Sequence, residues 1–228
     1  MKRFWTEVAV TGGGGAFGIA LDGRPVRTPA RAELRLPDEA LAEAVADEWR
    51  AQQETVDPRS MPLTGLANAA IDRAGPNLAD SIARYGESDL LYYRADGPPA
   101  LVARQAELWD PLLQWARQRF DVDFGTGSGV VHIPQPESTL RTLRHAVEAL
   151  DRFRLAALSP LVTIGGSLVA GLAAVEQAVE PGAAWEAVSV DDQWQLEQWG
   201  SNQEAERALE GRRSDFIAAA RFAGLVGR

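Results

Sequence analysis

The chain predicts an α+β protein, because strand periodicity fills its first part, the period changes from 2 to 3.6 near residue 75, and helical spacing then continues almost to the end. An N-terminal β-rich domain of antiparallel hairpins with one packed helix, residues 1–75, is expected ahead of an all-helical domain, residues 76–228.

The strands come first. Glu7 to Thr11, Ala16 to Leu21, Arg24 to Thr28 and Ala32 to Leu36 are short runs separated by turn residues, and Asp22-Gly23 is a strong two-residue hairpin signal. Gly13, Gly15 and Gly18 match the Gly-x-Gly-x-x-Gly spacing of dinucleotide-binding loops. That loop needs a helix to follow, so that free N–H groups and the positive dipole end meet a pyrophosphate. Here Phe17, Ile19 and Leu21 alternate with Gly18, Ala20 and Asp22, which is a strand, and the only lysine is Lys2. The glycines are therefore expected at a hairpin tip.

Pro37-Asp38-Glu39 opens the first helix, with Leu41, Val45 and Trp49 as its apolar stripe and Trp49 a core residue. Further helices are expected over Leu63 to Ile71, Asn77 to Tyr85, Pro98 to Phe120 with a kink at Pro111, Glu137 to Leu150, Phe153 to Leu172, Ala183 to Trp199 and Asn202 to Leu225. Phe124 to Ile133 reads as a loop or small hairpin. Leu155 to Val175 carries no charge, but Ser159, Pro160, Gly165, Gly166 and Gly171 dilute it, so a buried helix is expected rather than stable membrane insertion.

Composition narrows the function. A formal charge of −9 argues against nucleic acid, which needs clustered positive charge to displace counterions. The absence of cysteine excludes disulfides, thiolate catalysis and cysteine-held zinc, and no signal peptide is read, so a reducing, cytoplasm-like compartment is expected. His132 and His145 lack metal-ligand spacing, and no serine lies in a nucleophile elbow, so no metal, cofactor or catalytic residue is assigned. Tyr85-Gly86-Glu87-Ser88-Asp89-Leu90-Leu91-Tyr92-Tyr93-Arg94 reads as a helix end, a turn and a buried aromatic stretch, with a polar aromatic binding loop as the alternative. Asp191 to Gly200 holds Trp194 and Trp199, which point to different sides of one helix, so one of them faces outward or toward a partner.

Several stretches in order resemble one family: Arg3-Phe4-Trp5, Leu21 to Pro29, Ala46-Asp47-Glu48-Trp49-Arg50-Ala51-Gln52, Met61-Pro62-Leu63-Thr64, Glu87 to Arg94, Trp109-Asp110-Pro111-Leu112 and Gln195-Leu196-Glu197-Gln198-Trp199-Gly200. Together they are similar to the assembly chaperone of the F-type ATP synthase that binds the alpha subunit of the catalytic head, found in mitochondria and related bacteria. The resemblance implies a β-rich domain followed by a helical one, no catalysis, no nucleotide or other cofactor, and a protein client, the ATP synthase alpha subunit, whose subunit-interface surface is shielded without ATP use. It implies a cytoplasmic location in a bacterium, or the mitochondrial matrix in an organelle. Partner contacts are expected at Glu176, Glu180, Glu186, Trp194, Gln195, Glu197, Trp199, Glu204 and Glu206; the first three enter because Glu180-Pro181-Gly182 stands where relatives are expected to begin a helix with acids. The rival reading is an enzyme with a carboxylate pair in an interdomain cleft acting on a small molecule, marked by two acids of raised pKa in a deep pocket.

Overall fold

In the computed structural model, which describes residues 2–13, 15–129, 131–200 and 202–227 and all their side chains except that of Trp199, the chain opens with a hairpin. β1 (Val8–Gly13) and β2 (Ala16–Leu21) pair antiparallel from Val8↔Leu21 to Gly13↔Ala16, so the glycines sit at the tip; Gly14 lies outside the described residues. Asp22 and Gly23, with φ of 47° and 76°, form the turn with both central residues left-handed that the strand twist favours. Asp22 Oδ1 also accepts from the Thr6 and Glu7 amides at 3.0 and 2.8 Å, which holds its carboxyl below the usual range. β3 (Arg24–Pro25) and β4 (Arg35–Leu36) both pair with β2 and are shorter than the sequence suggests.

α1 (Glu39–Arg50) lays Leu41, Ala42, Val45 and Trp49 on the sheet, as the stripe predicts. The stretches that carry the resemblance are bonded to one another here. Arg3 Nη1 donates to the Gln52 carbonyl at 2.5 Å, and Trp5 meets Trp49 edge to face at 5.3 Å. The Glu48 carboxylate accepts from the Leu63 and Thr64 amides at 2.8 and 2.7 Å, and so sits on the N-terminus of α2 (Pro62–Asp72).

After α3 (Pro76–Ala83) come 3-10 turns at Arg84–Glu87 and Leu90–Tyr92, then β5 (Tyr93–Arg94) and α4 (Pro99–Phe120), one helix that runs through Pro111. The Phe124 to Ile133 stretch is not a hairpin. Its β6 (Gly127–Ser128) pairs in parallel with β5, a partner more than 30 residues away that no local signal announces; Val130 lies outside the described residues.

α5 (Glu137–Glu148) is followed by two helices where one was expected. α6 (Arg152–Gly165) ends at Gly166, whose φ of 68° suits glycine, and Ser167 accepts from the Ala170 amide at 3.0 Å to start α7 (Leu168–Val175). All eight residues of α7 are buried, and Gly171 lets it approach α6 so closely that an added Cβ would lie 2.8 Å from Val162. Likewise Ala183 to Trp199 divides at Ser189 into α8 (Pro181–Val188) and α9 (Val190–Trp199). α10 (Gln203–Gly224) returns to pack on α6, α2, α7 and α8. Among the described residues, no helix is long and apolar enough to cross a membrane.

Candidate functional site

Two helices meet at an elbow that stands off the core. α9 leans on α4 through polar contacts: Gln105 Nε2 donates to Asp191 at 2.7 Å, and Arg104 Nη1 donates to both Glu197 oxygens at 2.8 and 2.9 Å. Asp192 is paired with Arg212 of α10 at 2.8 Å. Gly200, with φ of 83° and ψ of 158°, turns the chain, and Asn202 caps α10 by accepting from the Glu204 amide at 2.9 Å. From Gln203 to Asp215 the described side chains are exposed except Leu209, which is half-buried. An antenna of this kind presents acids and amides to a partner while its root is fixed in the core.

The expected contact residues divide among three places. Gln195 and Glu197 are exposed on α9 beside half-buried Trp194, and Glu204 and Glu206 are exposed in the first turn of α10. The Trp199 side chain lies outside the described residues. Glu180 precedes α8 as its N-cap residue and Glu186 is exposed upon it. Glu176 belongs elsewhere: it is bonded to Arg119 at 2.7 Å in a cleft of about 760 Å³ that also has His145 and Arg154 in its walls and no residue of α9. Sequence reasoning missed Arg104 and Gln105. Each lies more than 85 positions from its partner on α9 and carries no local signal.

The acids with raised pKa are Glu48 and Asp89, and both are caps. Asp89 is fully buried, which pushes its carboxyl up to about 6 against the pull of amides from Val169 and Leu91, at 2.9 and 3.0 Å. It thereby holds the N-terminus of α7, while Leu90 donates to the Gly166 carbonyl at 3.0 Å. Burial likewise raises the carboxyl of Glu48, which caps α2 from its place on α1. The two serve different helices, not one cleft. The run from Tyr85 to Arg94 is thus a wedge in the helical core: Leu91 and Tyr92 are buried, and Arg94 stacks 5.0 Å over Trp109 while paired with Asp110 at 2.5 Å. Burial lowers the Arg94 pKa. Trp109 in turn donates to the Ala187 carbonyl at 2.7 Å and ties α4 to α8.

Comparison with known proteins decides among the function classes left by this geometry. Residues 2–117 match the family described as ATP12 chaperone protein. The chain belongs to the ATP12 chaperone family. It is similar along 98% of its length to Atp12 from Paracoccus denitrificans, covering 97% of that chain at 43% identity with a TM-score of 0.91. The Atu1473 protein of Agrobacterium tumefaciens is alike too, at 38% identity over 99% of this chain and 86% of that one, with a TM-score of 0.92. The mitochondrial protein atp12 of Schizosaccharomyces pombe is 25% identical over 219 residues, 90% of this chain and 75% of that protein. Family membership makes the protein an ATP synthase assembly chaperone and not an enzyme, and the carboxylate-pair reading falls with it.

Proposed function

We propose that the protein holds the newly made alpha subunit of the ATP synthase catalytic head, shields the surface destined for the beta subunit, and gives it up without ATP. Release follows from competition by the larger native interface with beta. What carries the reading is the antenna of α9 and α10, whose exposed Gln195, Glu197, Glu204 and Glu206 stand free of the core in a chain of this family. Charge there steers encounter and selects a basic partner surface. Glu197 is already held by Arg104, so a client cation at that point competes with Arg104, whereas Glu204 and Glu206 have no ion-pair partner among the described residues. Residues 1–75 and 76–228 are proposed to work as one body, since α2 of the first part packs on α6 and α10 of the second. The site of action is the bacterial cytoplasm, or the mitochondrial matrix in an organelle.

The test is a pull-down from growing cells with tagged protein. Recovery of alpha without beta supports the reading; recovery of neither, or of finished synthase in equal amounts, sinks it.

A further inference from the structure

Two helical stripes face each other across a hollow that the fold leaves unfilled. On α2, Pro62, Gly65, Leu66 and Ala69, with the C-cap Arg73, recur at intervals of three and four, roughly a quarter-turn round the helix from the buried Leu63, Ala67 and Ala70. On α6, Ala156, Ser159, Pro160 and Ile164 do the same. With Leu78 of α3 closing one side, these residues enclose about 570 Å³. Leu66, Leu78 and Ile164 are only half-buried there, so aliphatic surface stays in contact with water. The small residues Gly65, Ala69, Ala156 and Ser159 let a third backbone come close. This is the shape into which an amphipathic helix sets its apolar face.

The charges at the rim narrow the occupant. Arg73 closes α2 and Asp215 of α10 stands in the same wall, and neither has an ion-pair partner among the described residues. Two unpaired charges of opposite sign beside an apolar trough fit a helix with an acid beside its stripe where it meets Arg73 and a base where it meets Asp215. A second copy of this chain fits poorly, because each copy carries a net charge of −9 and repels the other.

We infer that the trough between α2, α3, α6 and the Asp215 turn of α10 receives an amphipathic helix of the client, an apolar contact distinct from the acids Glu197, Glu204 and Glu206 farther out on the antenna. This rests on the reading of the protein as a holder of an unassembled subunit, and it assigns the shielding of apolar surface to a definite place. The antenna steers; the trough holds.

Gly65 offers a clean probe, since an added Cβ there meets nothing within 4 Å. Gly65→Leu fills the trough from the protein's own side and replaces a glycine inside a helix, so the fold is kept or strengthened. The variant is compared with the wild type for binding to purified alpha subunit and for slowing its aggregation, with melting temperature measured alongside. In parallel, full-length protein carrying a photo-crosslinking amino acid at Ala69 is irradiated in growing cells and the joined peptide sequenced. The expected result is capture weakened about tenfold by Gly65→Leu, the loss of roughly one well-buried aliphatic contact, at an unchanged or higher melting temperature. The crosslink should run to an amphipathic helix of alpha, and Arg73→Glu with Asp215→Arg should weaken capture as well. Equal capture by Gly65→Leu and wild type overturns the trough while leaving the proposed function standing, and so does a crosslink to a second copy or to no protein. If the wild type leaves alpha aggregating, the proposed function falls instead. The trough then survives only where the crosslink joins an identified amphipathic helix of another protein with charges placed as above, and falls where it joins none.

Discussion

α10 is one helix in two environments. Its second half buries Phe216, Ala219, Ala220, Phe222 and Ala223, with Phe216 5.6 Å from Trp185 and Phe222 6.5 Å from Phe153. Its first half, from Gln203 to Asp215, is exposed apart from Leu209 and is tied to α9 by the ion pair of Arg212 with Asp192. Helix propensity is similar in both halves; burial is not. The difference separates what holds the chaperone together from what it presents. Substitutions in the root should cost the most stability, and substitutions in the antenna should change partner choice at a much smaller cost.

Four measurements test that contrast. Phe216→Ala should lower the unfolding free energy by about 3–5 kcal/mol in denaturant titration, the range for emptying a buried aromatic site. Asp89→Asn should cost about 1–3 kcal/mol at pH 7, because an amide has one acceptor oxygen where two N–H groups, from Leu91 and Val169, require one each. The same variant changes the pH profile. With its carboxyl raised from 3.8 to about 6, folded Asp89 binds its proton more tightly than the unfolded chain does, so its contribution falls as pH rises between those values and is level above them. That slope should vanish in Asp89→Asn. Asn202→Ala removes the cap of α10 and should cost about 1 kcal/mol, seen by hydrogen exchange as fraying of the first turn rather than loosening around Phe216. Glu204→Lys with Glu206→Lys should weaken capture of alpha while costing about 1 kcal/mol of stability, since both acids lie in the first turn of α10 at the positive end of its dipole. A large stability loss there would refute the division of α10 into root and antenna.

How much of this is legible in the sequence follows from how local each cause is. The hairpin was, because Asp22-Gly23 and a strict alternation are local instructions. So was α1, whose stripe at Leu41, Val45 and Trp49 is buried as spaced. The break between α6 and α7 is hidden: by spacing alone Gly165 and Gly166 only dilute an apolar helix, while the acid that stabilises the restart, Asp89, comes from 80 residues away. The pairing of β5 with β6 was hidden for the same reason. At the site, the exposure of Glu197, Glu204 and Glu206 was anticipated, but the grip of Arg104 on Glu197 spans 93 positions. The trough had a faint signal in Pro62, Gly65, Leu66 and Ala69, a second small apolar stripe on a helix whose first stripe already faces the core.

The restart at Ser167 limits the length of any apolar rod in the folded chain. Joined into one rod, Arg152 to Val175 would be about 36 Å long, more than the hydrocarbon thickness of a bilayer. Divided at Gly166, the pieces reach only about 21 and 12 Å. A single left-handed glycine thus keeps the greasiest stretch of the molecule too short to be mistaken for an anchor, and turns it into the hub around which the other helices are hung.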